Sequence, residues 1–257
     1  MIIGILTDVH EDRSGLQKAF RICEAEHCDE VACLGDIVGF CDRYQGKISQ
    51  RDASQCLQAV KENCRWVIAG NHDLHAAGKL PVTMGTYHYP ENWFGLSWEE
   101  RRRIAGTRLW VYDDELPSNL RESEVEYIRT LEESMIIEAD GHRILLSHFN
   151  FPNLSGAETD FPQWASEIAP HLDFIESKGC VLGITGHMHT EGLLVGHRRA
   201  KGALKKVLPA YQFKSYGTRG VSVRGTINAP PVISQNGKGG VTVLDTAQLT
   251  CSVIQIH

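Results

Sequence analysis

Short apolar runs that end in polar residues recur along this chain and predict buried strands. Residues 1–7 form the first run, which is followed by Asp8 and His10. A continuous apolar run of this length is typical of a strand that is covered on both faces. Four further runs have the same arrangement, at residues 30–34, 65–69, 143–146 and 180–185. Each predicted strand ends where carboxylate, amide or imidazole side chains begin.

Helical patterns separate the first three of these strands. Residues 14–26 and 52–62 carry apolar positions at helical spacing, so the chain begins strand, helix, strand, helix, strand. That order predicts a largely parallel first sheet. Ligands of such sheets bind beyond the carboxyl ends of the strands, which is where the polar clusters fall. Pattern and candidate chemistry therefore indicate the same edge of the sheet.

The remainder of the chain shows two other patterns. In residues 78–134, aromatic side chains alternate with charged helical stretches, which predicts a helical insertion. We favour packing on the sheet over substrate contact as the role of its aromatic residues. After His189, alternating apolar and polar residues predict antiparallel strands of a second sheet at 192–195, 204–213, 241–244 and 251–256. The length allows one α/β domain over residues 1–257.

Composition narrows the classes of function. The chain is 42% hydrophobic and 23% charged, as globular proteins are, and its net charge of -6 does not favour a nucleic-acid partner. The first residues do not resemble a signal peptide, and no run approaches the roughly 20 apolar residues of a membrane helix. We therefore expect a cytoplasmic protein without a membrane partner. The 8 cysteines form no CxxC pair, so we predict that most are small buried thiols.

The polar clusters carry the candidate chemistry. They are Asp8 with His10, Asp36, Asn71 with His72 and Asp73, His148, and His187 with His189. Each alone has an ordinary explanation, as a turn residue, a helix cap or a buried histidine. Together they favour one shared metal site, because every cluster follows a predicted strand. These ligand types suit manganese, iron, cobalt, nickel or zinc, and two such ions could clamp both oxygens of a phosphoryl transfer.

The motifs resemble those of the calcineurin-like metallophosphoesterase superfamily. They read TDVH (7–10), GD (35–36), GNHD (70–73), SH (147–148) and GHMH (186–189). The resemblance implies a four-layer fold, in which two packed mixed β-sheets are flanked by helices. It also implies two metal ions, for which we expect manganese first, with iron, nickel, cobalt or zinc as alternatives. One ion would be held by Asp8, His10, Asp36 and His189, and the other by Asp36, Asn71, His148 and His187.

The same resemblance implies that a hydroxide bridging the metals attacks phosphorus. His72 would protonate or stabilise the departing oxygen, a task that suits an imidazole. Asp73 would either orient His72 as a second catalytic residue or cap the helix. The candidates to bind the substrate phosphate are Arg13, Arg43, His75, Arg198 and Arg199. We favour Arg43 among them, because it follows the predicted bridging carboxylate closely.

Two departures from the family pattern refine the prediction. Glu11 and Asp12 stand where the family often carries Gly-Asn, and we expect both to point to solvent. The sequence GDIVGF (35–40) lacks the Asp-Arg-Gly typical of protein serine/threonine phosphatases. We therefore predict a binuclear hydrolase of phosphodiesters or phosphomonoesters of small molecules or nucleotides. The alternatives are a phosphoprotein phosphatase, a non-catalytic metal-binding scaffold and a DNA exonuclease.

Overall fold

Two mixed sheets, each of six strands within the described residues, form the centre of the fold. The structure is a computed structural model that describes residues 1–45, 48, 50–198, 208–233 and 239–257, with only the backbone at position 44. In spatial order, the first sheet contains β3 (Trp66–Val67), β2 (Glu30–Cys33), β1 (Ile2–Leu6), β11 (Gly240–Asp245), β12 (Thr250–Gln255) and β9 (Val221–Ser222). The second contains β4 (Ser134–Ala139), β5 (His142–Ser147), β6 (Leu182–Thr185), β10 (Gly225–Asn228), β7 (Leu193–Gly196) and β8 (Gln212–Lys214).

Parallel pairing brings the ends of the predicted strands together. β1, β2 and β3 run parallel in the first sheet, and β5, β6 and β10 run parallel in the second. β11 and β4 add antiparallel neighbours to these groups. The five strands predicted to end in polar clusters are therefore all present. Their carboxyl ends deliver the loops that form the candidate site.

Helices cover the outer faces of both sheets. The α-helices are α1 (Arg13–Ala25), α2 (Asp42–Gln45), α3 (Ala53–Asn63), α4 (Asn71–Ala76), α5 (Trp98–Ala105), α6 (Glu122–Thr130) and α7 (Ala169–Ser177). Successive side chains of a strand point to opposite faces, so Ile3 and Ile5 of β1 join the core between the sheets, whereas Leu6 packs with α1 and α3. On the second sheet, Leu145 packs against α7. The predicted four-layer fold is confirmed.

The strands near the carboxyl terminus pair differently from the prediction. β11 and β12 belong to the first sheet, where Leu244 lies opposite Ile3, and not to the second sheet. The alternating pattern correctly indicates strands, but it carries no information about which strand is the neighbour. The strand predicted at 204–213 falls partly outside the described residues, and β8 begins at Gln212.

The segment predicted as an insertion contains α5, α6 and a 3₁₀ turn at Trp93–Gly95. Its aromatic residues make a small core of their own, in which Trp93 is buried beside Ala105 and Leu109. None of the 8 cysteines is in a disulfide, and most are buried, as predicted. Among the described residues, no helix combines the length and apolar character that crossing a membrane requires.

Candidate metal centre

The predicted ligands converge in the loops that follow the strands. The backbone N–H of Asp8 donates to Gly35 O at 3.0 Å, and the N–H of His10 donates to Asp36 O at 2.9 Å. These bonds join the loop after β1 to the loop after β2. Of the seven predicted ligands, six are buried, and the His189 side chain is 31% exposed. The site is therefore a buried polar cluster that opens on the side of His189.

The side chains form overlapping groups with the spacing of metal ligands. In one group, Asp8 Oδ1 lies 3.2 Å from His189 Nε2 and 3.9 Å from His10 Nε2. A second group consists of Asp36, His148 and His187, and a third of His10, Asp36 and His72. Within each group, the candidate ligand atoms lie within 4.8 Å of one another. The first two of these groups are two neighbouring candidate positions for a cation.

Asp36 lies between these two positions. Its Oδ2 is 3.1 Å from His148 Nε2 and 3.8 Å from His10 Nε2, so one carboxylate oxygen reaches both groups. A carboxylate placed in this way can bridge two cations. The geometry therefore fits the bridging role that the sequence suggests for Asp36.

Hydrogen bonds orient two of the imidazoles toward the cluster. His10 Nδ1 donates to Gly39 O at 2.6 Å, and His148 Nδ1 donates to Leu34 O at 2.7 Å. Each bond engages Nδ1 and turns Nε2 toward the carboxylates. Asp8 is held similarly, because its Oδ2 accepts from the backbone N–H of His187 at 2.9 Å. The opposite oxygen, Oδ1, remains directed at the cluster.

The polar atoms that these hydrogen bonds leave unpaired are those that would coordinate a metal. Asp8 Oδ1, both amide atoms of Asn71, His148 Nε2 and His187 Nε2 are buried and have no hydrogen-bond partner among the described residues. Leaving a buried polar atom unsatisfied costs about 1–3 kcal/mol, so a cluster of such atoms needs an explanation. A pair of divalent cations would satisfy them together. The mixture of carboxylate, amide and imidazole suits the transition metals expected from the sequence.

Backbone strain is concentrated at the same positions. Non-glycine residues with positive φ include five of the seven predicted ligands: Asp8 (52°), His10 (43°), Asp36 (52°), His187 (71°) and His189 (48°). Such conformations cost on the order of 1–3 kcal/mol each and persist where surrounding contacts enforce them. The hydrogen bonds between loops supply that enforcement. These backbone conformations direct ligand side chains from different loops toward the same cluster.

The carboxylates of the cluster are kept ionised. Burial raises the pKa of Asp8, but the neighbouring His189, His148 and His10 outweigh this effect and hold it well below its usual value. Burial likewise raises the pKa of Asp36, and His148 and His72 lower it further than burial raises it. Both aspartates are therefore anionic at neutral pH. Ionised carboxylates are the form that binds a cation.

The histidines divide into two electrostatic classes. Burial lowers the pKa of His10 and of His187 to about 3, so both rings are neutral and ready to act as ligands. For His148 and His72, burial also lowers the pKa, but Asp36 leads the opposing effects and raises each to about 9. A cation bound beside Asp36 would displace the proton of His148, because metal and proton compete for the same nitrogen.

His72 has a different setting from the ligands. Its backbone N–H donates to Asp36 Oδ1 at 2.9 Å, and its Nε2 lies 3.9 Å from Asp36 Oδ2. Its Nδ1 contacts the carboxylate of Glu115, a residue that carries no recognisable motif. The imidazole therefore presents one nitrogen to the cluster and the other to an acid from a distant segment.

The sequence left two roles open for Asp73, orienting His72 or capping the helix, and its hydrogen bonds are those of a cap. Its Oδ1 accepts from the N–H of Ile37 and of Val38 at 2.9 and 3.1 Å, and its Oδ2 accepts from the N–H of Gly70 at 3.0 Å. The carboxylate is thus occupied by three backbone donors that tie the loop after β2 to the start of α4. The hydrogen-bonded partner of the His72 ring is Glu115 and not Asp73, which corrects the orienting role considered for Asp73.

A cleft of about 340 Å³ opens onto the cluster. Its walls include Arg43, Trp110, Tyr112, Phe161 and Met188, and its floor is formed by His72 and the ligand side chains. Arg43 thus lies on the wall of the cleft, and its binding of a substrate phosphate stays a prediction. Two aromatic residues of the insertion, Trp110 and Tyr112, contribute to the wall, whereas the prediction favoured packing over substrate contact for this segment.

Other predicted phosphate-binding residues lie elsewhere. His75 stacks on Tyr112, with ring centroids 4.4 Å apart, and does not line the cleft. Burial lowers the pKa of His75 to about 4, so its neutral ring is poorly suited to bind an anion. Arg198 contacts Asp173 beside α7. Arg13 begins α1, away from the cleft wall, and the candidate Arg199 lies outside the described residues.

The expectation that Glu11 and Asp12 point to solvent is wrong. Glu11 is 1% exposed, and its carboxylate accepts from Arg51 Nε at 2.6 Å and from the N–H of Gly39 at 3.1 Å. Asp12 caps α1 by accepting from the N–H of Gly15 at 2.9 Å. Both carboxylates therefore serve the structure around the site. The sequence pattern alone gave no sign of Arg51 as a partner.

Comparison with known proteins accords with this geometry. Residues 1–204 match the calcineurin-like phosphoesterase superfamily domain. The chain belongs to this superfamily. The superfamily is one of metal-dependent phosphoesterases, and the structure brings candidate ligands for divalent metals together.

Individual relatives are distant. An uncharacterized protein of Methanocaldococcus jannaschii is 22% identical over 191 residues, which cover 73% of this chain and 62% of that protein. The match thus spans less than two thirds of the relative. A metallophosphoesterase from Sphaerobacter thermophilus superposes with a TM-score of 0.66 at 20% identity, covering 100% of this chain and 88% of the other. A hypothetical protein from Pyrococcus horikoshii gives 0.62 at 13% identity with the same coverage, and both structures share the fold.

Proposed function

We propose that the chain is a binuclear metal-dependent hydrolase that cleaves small-molecule phosphodiesters, including those of nucleotides, in preference to phosphomonoesters. The observation that carries this proposal is the position of Asp36, whose Oδ2 reaches the imidazoles of both ligand groups at the floor of the cleft. Two cations at these positions would supply a hydroxide nucleophile and neutralise charge on the phosphoryl oxygens. We expect manganese, with iron, nickel, cobalt or zinc as alternatives.

The chain itself contributes binding, orientation and a proton. Arg43 on the cleft wall offers a guanidinium to a phosphoryl oxygen. His72 directs Nε2 toward Asp36 and holds a proton, since its pKa is raised to about 9. In the reaction, a bond forms between water oxygen and phosphorus, and the bond from phosphorus to the leaving oxygen breaks. The leaving oxygen then takes the proton of His72 Nε2.

The charge of the cleft supports the preference for diesters. Asp113, Asp114 and Glu115 line the cleft, and Arg43 is the single arginine among the lining residues that the structure describes. Asp113 also contacts Arg102, and Glu115 contacts His72. A terminal phosphate carries close to two negative charges at neutral pH, because its second pKa is about 6, whereas a diester carries one. The acidic wall therefore repels a monoester more strongly than a diester. A cleft of about 340 Å³ is of the size that holds a small molecule.

The phosphoprotein alternative has weaker support. At the position where protein phosphatases carry Asp-Arg-Gly, Gly39 lies against the ring of His72 and Phe40 is 2% exposed. Neither residue offers a cation to a substrate phosphate. A cytoplasmic location and the lack of a nucleic-acid partner remain predictions.

The test compares bis-p-nitrophenyl phosphate with p-nitrophenyl phosphate. Metal-stripped protein is supplied separately with manganese, iron, nickel, cobalt or zinc, and kcat and KM are measured for both esters. Asp36→Asn and His72→Ala are the test variants. Asp173→Asn and His88→Ala are the matched controls, because Asp173 and His88 are exposed and lie outside the cleft.

We expect turnover only with added metal and a higher kcat/KM for the diester. Asp36→Asn should abolish turnover, and His72→Ala should reduce kcat by about 100-fold or more, a typical loss for a general acid. Both controls should retain wild-type rates. Faster hydrolysis of the monoester would overturn the diester preference, and equal rates with and without metal would overturn the proposal as a whole.

A further inference from the structure

We infer that Glu115 is the positioning residue that holds the His72 imidazole with Nε2 directed at the leaving oxygen, an inference that rests on the proposed hydrolysis. The carboxylate of Glu115 contacts Nδ1 of His72, and the Glu115 side chain is only 10% exposed. A carboxylate on one nitrogen of an imidazole fixes both the ring plane and the tautomer. The opposite nitrogen, Nε2, is then the one that faces Asp36 and the candidate metal ligands.

The segment that carries Glu115 is anchored at both ends. On its amino-terminal side, the ring of Tyr112 packs edge-on against His72, with centroids 5.1 Å apart. On its carboxyl-terminal side, the N–H of Leu116 donates to Phe40 O at 2.8 Å. Arg51 donates to Leu116 O and Pro117 O at 3.0 and 2.8 Å. Glu115 is therefore presented to His72 by fixed backbone and not by a free loop.

The loop after β2 leaves Nδ1 of His72 accessible to this segment. Gly39 adopts a φ of 81°, and a Cβ at this position would lie 2.6 Å from His72 Cβ and 2.8 Å from Nδ1. A side chain at position 39 would therefore collide with the ring. Asp73, the nearest acid in sequence, is occupied by three backbone N–H groups. Among the acids that the structure describes, Glu115 is the one in contact with Nδ1 of His72.

One proton moves from His72 to the leaving oxygen in the proposed step. In the proposed reaction the leaving oxygen takes a proton from Nε2 of His72, and the ring keeps its proton on Nδ1. Glu115 accepts the Nδ1–H bond before and after the step. Its contribution is orientation of the ring, so it acts through His72 and does not touch the substrate phosphorus.

The activity test uses Glu115→Gln and Glu115→Ala in the metal-loaded protein, with Glu126→Gln on exposed α6 as the matched charge control. Aryl phosphodiesters with phenols of increasing basicity are the substrates. We expect kcat to fall about 10-fold for Gln, which can still accept the Nδ1–H bond, and about 100-fold for Ala, with KM within about 2-fold of wild type. The loss should grow as the leaving phenol becomes more basic, because such phenols need the proton more.

Two further measurements separate positioning from a general structural effect. In the His72→Ala background, Glu115→Ala should cost less than about 2-fold, because a residue that acts through His72 has nothing left to position. In the zinc-loaded protein, nitrogen-15 NMR should show a slowly exchanging proton on His72 Nδ1 that disappears in Glu115→Ala and persists in Glu126→Gln. The spectra do not depend on turnover, so they test Glu115 even where no ester is cleaved. Equal kcat losses in both backgrounds, or a Nδ1 proton unaffected by Glu115→Ala, would overturn the inference.

Discussion

The Nε of Arg51 lies 2.6 Å from Oε2 of Glu11, a carboxylate that is 1% exposed directly after the first metal-binding motif. The same guanidinium donates to Leu116 O and Pro117 O, at the end of the segment that carries Glu115. One arginine therefore neutralises a buried acid beside the candidate metals and fixes the segment that reaches His72. We expect the site to depend on this link, although neither residue is among the candidate metal ligands or the residues that line the cleft.

Arg51→Met should destabilise the protein, because it leaves Glu11 buried without its cation. The expected loss is about 1–3 kcal/mol in the free energy of unfolding, the cost of an unsatisfied buried group. Glu11→Gln should cost less, since an amide oxygen can still accept from the Gly39 N–H. Urea unfolding of both variants and of the double variant measures the coupling between the two residues. Strictly additive losses would show that the pair contributes no interaction energy.

Gly156→Ala should weaken metal binding. Gly156 has a φ of 82°, and a Cβ there would lie 2.7 Å from His187 Nδ1 and 2.9 Å from Asn71 Oδ1. Two predicted ligands of one metal would have to move, so we expect affinity to fall by about 10-fold or more. Calorimetric titration of the metal-stripped protein with zinc provides the measurement.

Gly141→Ala is the matched control for this change. Gly141 has a φ of 76°, so the backbone penalty of about 1–2 kcal/mol is similar, but a Cβ there meets nothing within 4 Å. The control should lose stability and keep wild-type affinity for zinc. Equal affinities for the two alanine variants would contradict the assigned role of His187 and Asn71.

His171 should make the protein sensitive to acid independently of the metal site. The ring is buried in α7, its Nδ1 accepts from the N–H of Phe151 at 3.0 Å, and burial lowers its pKa to about 3. The unfolded chain takes up a proton near pH 6.5, whereas the folded chain does not. The contribution of His171 to the free energy of unfolding is therefore complete above about pH 6.5 and is lost as the pH drops toward 3.

His171→Gln removes the titrating group and keeps an acceptor for Phe151. Between pH 7.5 and 5.0, the free energy of unfolding should fall by about 2 kcal/mol more in wild type than in this variant. The difference builds up by about 1.4 kcal/mol for each pH unit below 6.5. Urea unfolding of metal-stripped protein at both pH values tests this, since the site histidines titrate equally in both proteins. Parallel losses in the two proteins would refute the assignment.

Much of the site could be predicted because its ligands sit in local motifs at strand ends. Asp8 and His187 each follow an apolar run, and the rules of parallel sheets place such ends at one edge. The partner of β1 could not be predicted in this way, because alternation indicates a strand and not its neighbour. That is why β11 and β12 were assigned to the wrong sheet.

Long-range partners were beyond the reach of sequence patterns. Glu115 lies 43 positions from His72 in an irregular segment, and Arg51 lies 40 positions from Glu11. Neither carries a motif, and either could equally be a solvent-exposed charge. Only the fold shows that these charges meet, and so only the fold reveals which acid serves His72.

The proposed function requires two metal ions that share Asp36 as a ligand. The most direct measurement titrates metal-stripped protein with manganese while recording both bound metal and hydrolysis of bis-p-nitrophenyl phosphate. We predict that turnover rises to a plateau at two bound ions per chain, and that Asp36→Asn binds fewer ions and stays inactive. A plateau at one ion, or full activity of Asp36→Asn, would contradict the binuclear site.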